Sequence, residues 1–263
     1  IEDKAGENST EIEKLLAEIE GLACAAMGRL EHGEPLAEEE KVNIAIFVAL
    51  QMTRVPDFEK RTNEMQEKMI RKIYKRVFHS VEAARQEIEK IKDEIDDVSD
   101  DAAEDMFDFI QGDKYHIEVP RQNNIRRMLQ LASHAALYFI QMDWLLLRAT
   151  RGGAFITSDN PFTIFPPKTY NPNTFLGSAV GILTPGARKS IPISPQASLF
   201  MCDHGGRYAE NIVPRDKMRI FNDFYARTSD RFIFARDEAL LRSIVERSHV
   251  DEIPFERERI IVS

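Results

Sequence analysis

The sequence predicts an α+β protein: a helical first half, then a mostly antiparallel sheet that carries two further helices. Three observations predict it. Through the first half, apolar residues recur at three- and four-residue spacing, the period of an amphipathic helix. After Arg151-Gly152-Gly153 the chain turns to Pro, Gly and short β-branched or aromatic runs. Helices come first and strands follow, the order of an α+β fold. The expected division is 1–150 for the helical half, including a charged, heptad-patterned arm over 57–111, and 151–263 for the β-rich half. The two are expected to pack as one continuous domain.

Ile12, Leu15, Leu16, Ile19, Leu22, Ala26 and Leu30 define the first helix, with Thr10 and Glu13 as its capping box and Gly33 as its stop. A second helix follows Pro35 and turns Val42, Ala45, Ile46, Ala49 and Leu50 inward. It ends near Arg54, because Pro56 disfavours helix at the residue before it. From Asp57 a long charged helix begins. Val77, Val81, Ala84, Ile88, Ile91, Ile95 and Val98 alternate four and three apart, a heptad seam with Arg85 and Glu89 as an outer ion pair. Ser99 caps a further helix that runs to about Gln111 and stops at Gly112.

The most apolar window, 129–149, reads as part of one buried helix over 124–149. Its Gln130, Ser133, His134, Gln141, Asp143 and Arg148 exclude a lipid-spanning segment, so no membrane partner is expected. Strands are expected at 154–157, 163–165, 190–193, 199–202, 231–235 and 259–262, with helices near 215–228 and 237–248. Residues 166–189 form the longest irregular loop.

The chain starts at Ile1 rather than Met, as expected of a processed or truncated form. Cys24 and Cys202, its two cysteines, read as reduced core residues of a cytoplasmic protein. The nine acids of residues 93–108 equal the net charge of the whole chain, −9, so the remainder is neutral. A nucleic-acid partner is therefore not excluded by charge.

Four motifs invite chemistry. Asp96-Asp97-Val98-Ser99-Asp100-Asp101 has the look of a diphosphate–magnesium box, but acidic residues at a helix start stabilise that start unaided. Lys68, Arg71, Lys72, Lys75, Arg76 and His79 form a basic stripe, readable as a phosphate surface. The plainer reading is a solvated face, with Met65, Met69, Ile73 and Val77 turned to the core. His134 and Gln141, with Tyr138 between them, share one face of the apolar helix and need partners or a pocket. Thr157-Ser158-Asp159-Asn160-Pro161 closes a strand with side chains that bond their own backbone, a turn that needs no chemistry. A carboxylate and an amide at a strand end are also well placed to meet a ligand.

At this motif the sequence resembles the bacterial "domain of unknown function 4238" family. Trp144-Leu145-Leu146, Gly152-Gly153 and Phe155-Ile156-Thr157-Ser158-Asp159-Asn160-Pro161 carry the resemblance. Ile12-Glu13 and Ile19-Glu20, Gln51-Met52-Thr53-Arg54-Val55-Pro56, Ile191-Pro192-Ile193-Ser194-Pro195 and Phe221-Asn222 extend it over most of the chain. The family's usual opening segment, His-x-x-Pro-x-x-Tyr-Leu, has no counterpart before the first helix. The resemblance brings no activity with it, since the family has none assigned.

Two functions follow as expectations. The first is a phosphodiester hydrolase. Asp159 acts as general base or as ligand to a divalent metal, and Arg54 stabilises developing negative charge. Asn222 orients substrate, His134 moves a proton, Glu20 converges on the site, and Ser158 and Asn160 bind ligand. The alternative is a non-catalytic interaction module that self-associates as a homodimer through residues 77–98, with Arg54 and Asp159 as a buried ion pair.

Overall fold

Helical periodicity in the N-terminal segment translates directly into two packed helices, α1 (Glu11–Glu31) and α2 (Glu38–Thr53). The computed structural model describes residues 11–91, 99, 101–118, 120–167, 180–203, 207–248 and 260–262. Thr10, residues 92–98 of the heptad seam and most of the aspartate-rich box lie outside the described residues. The chain divides into two compact units, residues 1–56 with 125–263, and residues 57–124.

In the first unit, α1 turns Ala23, Ala26, Met27 and Leu30 into the core and leaves Leu15 and Leu22 exposed. Its buried stripe is thus narrower than the apolar pattern suggests. Gly33, in the left-handed region at φ 77°, follows its end. Helix α2 buries Ile44, Ala45, Val48, Ala49 and Leu50 and is capped at its C-terminus by Arg54. Helix α6 (Arg121–Ile140) adds Ala132, Ala135, Ala136 and Phe139 to the same cluster.

These helices cover one face of a five-stranded sheet in the order β3-β4-β5-β1-β6. Its strands are β1 (Asp143–Ala149), β3 (Thr163–Phe165), β4 (Arg188–Ser194), β5 (Ala197–Cys202) and β6 (Tyr208–Val213). All pairings are antiparallel except β1 with β6. Side-chain alternation sends Trp144, Leu146, Leu199 and Met201 toward α1, α2 and α6. Leu147 and Phe200 face the second cluster with α7 (Arg215–Thr228) and α8 (Glu238–Ser248). A second sheet, β2 (Thr157–Ser158), β7 (Phe232–Phe234) and β8 (Ile260–Val262), flanks α7, with β7 and β8 parallel.

The expected helix over 124–149 is corrected: it ends at Ile140, and its last part is β1, at the middle of the sheet. Leu145-Leu146-Leu147 is apolar at every position because β1 is covered on both faces, and such a run has no strand period to read. Trp144, buried at the start of this strand, donates its indole N–H to Phe139 O at 2.8 Å and so ties helix end to strand start. Strand β6 was not expected either. It is an edge strand, exposed at all but its last residue, and has no apolar alternation to announce it. Cys24 is exposed rather than in the core, while Cys202 is half-buried; both thiols are free.

In the second unit the long charged helix is two: α3 (Pro56–Val77) and α4 (Val81–Ile91). Ser80 explains the break. Its Oγ accepts the Ala83 N–H at 3.1 Å, a helix-start cap that outcompetes continuation. Helix α5 (Ala102–Gln111) packs on α4, with Arg85 bonded to Glu104 at 3.1 Å, and Gln111 seals the end of α3 by donating to Phe78 O at 2.8 Å. Asp113 receives Lys75 at 2.7 Å and Arg71 at 3.1 Å. Hydrogen bonding from Lys75, then from Arg71, holds the Asp113 carboxyl below its ordinary range.

Candidate functional site: an arginine-lined cavity

Strand β1 runs out at Ala149, and Gly152-Gly153 then pass against the first turns of α7. Gly152 sits at φ 76°, where L side chains are strained, and a Cβ there would lie 2.8 Å from Arg215 Nη2. A Cβ on Gly153 would lie 2.5 Å from the Met218 methyl carbon. The positive φ favours glycine at 152, and at 153 a larger residue would have to displace the Met218 side chain.

The link, the first half of α7, and α8 with the Arg236-Asp237 segment before it line an open cavity of about 270 Å³. Arg215, Arg219, Arg236 and Arg247 line it, with Asp237 as the one acidic lining residue among those described. Arg247 is neutralised by Asp223 at 2.9 Å and Arg236 by Asp237 at 2.9 Å. Hydrogen bonding from the Leu240 N–H, then from Arg236, keeps the Asp237 carboxyl ionised below its usual range. Arg215 has only a long 3.5 Å contact to Arg151 O, and Arg219 has no partner among the described residues. Helix α7 opens behind Pro214 with no side-chain cap, so its first N–H groups add positive potential at the same place. A chain of net charge −9 has thus gathered four guanidiniums around one small concavity.

Asn222 is the one sequence-expected site residue on this lining. It is buried, and its amide clamps the strand-end segment: Oδ1 accepts the Ile156 N–H at 3.2 Å and Nδ2 donates to Ala154 O at 2.9 Å. Beyond it, the buried Ser158 accepts the Asn160 N–H at 3.2 Å. Both carboxylate oxygens of Asp159 accept backbone N–H groups, from Asp230 at 2.9 Å and Arg231 at 2.7 Å. Asp159 therefore fastens the strand to the chain just past the C-terminus of α7. From Asn222, α7 runs six more residues, about 9 Å of rise, to Thr228, and Asp230 follows its end, so Asp159 lies at the opposite end of α7 from Arg215 and Arg219. Asp159→Ala is expected to cost about 2–3 kcal/mol through these two charge-assisted bonds, with Asn recovering part of it. Chemical denaturation of the three proteins measures this.

Glu20 and Arg54 are brought together as a direct ion pair between α1 and the end of α2, both more than a third exposed. Among the described residues no ion pair or hydrogen bond joins them to Asp159 or Asn222. The Arg54–Asp159 pair of the alternative reading is replaced by Arg54–Glu20. His134 is exposed on α6, and its neighbour Tyr138 turns instead to Asp203 at 2.7 Å. Asp203 also accepts Lys189 Nζ at 3.0 Å, and Lys189, fully buried, donates to Ala187 O at 2.9 Å. Burial pushes the Tyr138 phenol up to about 12, with Asp203 adding to the effect. Burial also raises the Asp203 carboxyl, but bonds from Tyr138, Lys189 and the Gly186 N–H outweigh it and hold the group low. Among the described residues no three His, Cys, Asp or Glu side chains converge as metal ligands. No helix among them is long and apolar enough to cross a membrane.

Sequence reading missed the arginines. Arg215 and Arg219 stand four apart just after Pro214, hence on one helix face, and that signal was available. That Gly152-Gly153, Arg236 and Arg247 meet this face is a tertiary fact.

No curated protein and no solved structure matches the chain. A family described as "Protein of unknown function (DUF4238)" matches residues 1–239, and the chain belongs to it.

Proposed function

We propose that this DUF4238 member binds a phosphorylated ligand in the arginine-lined cavity, a phosphodiester or phosphomonoester group being held between α7, α8 and the Gly152-Gly153 link. The observation that carries this reading is the pair of uncompensated guanidiniums, Arg215 and Arg219, on one wall of a glycine-floored cavity. Guanidinium forks match phosphate oxygens in geometry as well as charge. At about 270 Å³ the cavity suits one phosphoryl group and its immediate substituent rather than a large organic ligand. Within this reading, Asn222 holds the wall in place, Asp159 fixes the end of α7, and Glu20 with Arg54 joins α1 to α2. Hydrolysis of a bound phosphodiester is the finer proposal.

Calorimetric titration with inorganic phosphate and with a nucleoside monophosphate tests the binding. Each of Arg215→Ala and Arg219→Ala is expected to weaken it by roughly tenfold to a hundredfold, from about 1.5–3 kcal/mol per charged hydrogen bond. Binding unaffected by the double variant would refute the site. Bis(p-nitrophenyl) phosphate tests turnover, with the same double variant as control; equal rates would end the catalytic part.

A further inference from the structure

Helix α3 turns much of its apolar pattern outward. Its half-buried face mixes Phe58 and Ile70 with polar pairs: Arg71 donates to Glu67, Asp113 and Tyr115 O, and Thr62 bonds Phe58 O. Met65, Met69, Ile73 and Val77, which the amphipathic pattern assigns to the core, instead face water at 58, 54, 51 and 39% exposure. That outcome corrects the expectation for these four residues and inverts the usual arrangement of a surface helix. Scattered exposed apolar residues are ordinary; an unbroken row, one per turn over four turns, is not. Alongside it on the same helix run Lys68, Lys72 and Arg76, all exposed and without an ion-pair partner among the described residues.

We infer that this row docks an acidic amphipathic helix of a partner protein, its apolar stripe on Met65, Met69, Ile73 and Val77 and its carboxylates toward Lys68, Lys72 and Arg76. Charge selects this occupant. A second copy presenting the same face would set three cations against three cations, and like charges across an interface are repulsive. A lipid surface takes a broader apolar face with large side chains, whereas this row is narrow, and the half-exposed Tyr74 beside it is committed to ring contacts with Phe78 and Tyr115. Methionine suits the task, because its flexible thioether adapts to partner side chains.

The test uses fluorescence anisotropy on the full chain with two synthetic helical peptides, identical in a Leu stripe but flanked by Glu in one and by Lys in the other. The Glu-flanked peptide is expected to bind with an affinity that falls as salt rises, and the Lys-flanked one not to bind. Lys68→Glu with Lys72→Glu and Arg76→Glu is expected to reverse that preference by at least about tenfold, and Met65→Ser with Met69→Ser to weaken binding comparably. Circular dichroism confirms that each variant is folded. Equal binding of both peptides, or of neither, overturns the inference. So does concentration-dependent self-association abolished by Met69→Ser, or preferential binding to phosphatidylserine vesicles.

Discussion

Replacing Lys189 with Ala is expected to lower stability by about 3–5 kcal/mol, from the cavity its buried stem leaves and from the bonds its ammonium makes to Ala187 O and to the part-exposed Asp203. Lys189 is 0% exposed, and its ammonium lies between Ala187 O and Asp203, with Tyr138 OH at 3.5 Å. The Ala variant takes the Nζ donor from the buried Ala187 carbonyl, strips Asp203 of its cation, and opens a cavity where three methylenes and the ammonium lay. At about 2–4 °C per kcal/mol for a chain of this size, the midpoint should fall by roughly 6–20 °C. Trp144, the chain's single tryptophan and part of the same sheet, reports the transition by fluorescence. The double variant Lys189→Met with Asp203→Asn keeps the stem volume, removes both charges, and should recover most of the loss. A loss below 1 kcal/mol for Ala would show that the ammonium contributes little.

The same cluster sets a pH dependence. The Asp203 carboxyl is held below its ordinary value, so its contribution is complete above the unfolded value near 4. It is lost as pH falls through the folded value. Wild type should therefore lose stability in acid more steeply than Asp203→Asn. At the alkaline end, burial pushes the Tyr225 phenol up to about 12 despite bonds to Ser190 and Ser198. A raised acid of this kind contributes fully below its unfolded value near 10 and loses that contribution between there and 12. Tyr225→Phe removes the alkaline loss while leaving two buried hydroxyls short of one partner each.

Asn222→Ala is the second large effect, about 3–4 kcal/mol. The side chain is almost wholly buried and satisfies one donor and one acceptor of the Ala154–Ile156 backbone, both buried in the folded chain. Each orphaned group costs about 1–3 kcal/mol. Asn222→Asp separates the two bonds: the carboxylate still accepts the Ile156 N–H but cannot donate to Ala154 O and repels it. The Asp variant should thus be at least as unstable as Ala at neutral pH and recover as it is protonated. Guanidinium denaturation at two pH values measures both. If Asn222→Ala unfolds like wild type, Asn222 is not the clamp that positions the arginine-lined wall.

Much of the architecture was legible in the residues. The spacing of Ile19, Ala26 and Leu30, the Pro56 boundary and the glycine pair dictate helix, helix end and link through local sterics and period alone. The arm was readable as helix but not as two helices, because Ser80 acts by capping, a choice between nearly equal local conformations. The reading of 124–149 as one helix failed where periodicity is silent: Leu145-Leu146-Leu147 is apolar throughout, and only coverage by helices on both faces makes it a central strand.

The candidate site divides in the same way. The sequence by itself determined that Ser158, Asp159 and Asn160 would knot a strand end, and that Glu20 would stand beside the inward face of the first helix with Arg54 at the end of the second. Tertiary structure alone decided that Asp159 spends its charge on the Asp230 and Arg231 N–H groups, and that Arg54 meets Glu20. It also decided that Arg215, Arg219, Arg236 and Arg247 share one cavity, and that the apolar row of α3 faces water. The physical reason is common to all of these. A side chain's local geometry follows from its neighbours in sequence, but its electrostatic partner is chosen by which distant backbone folds against it.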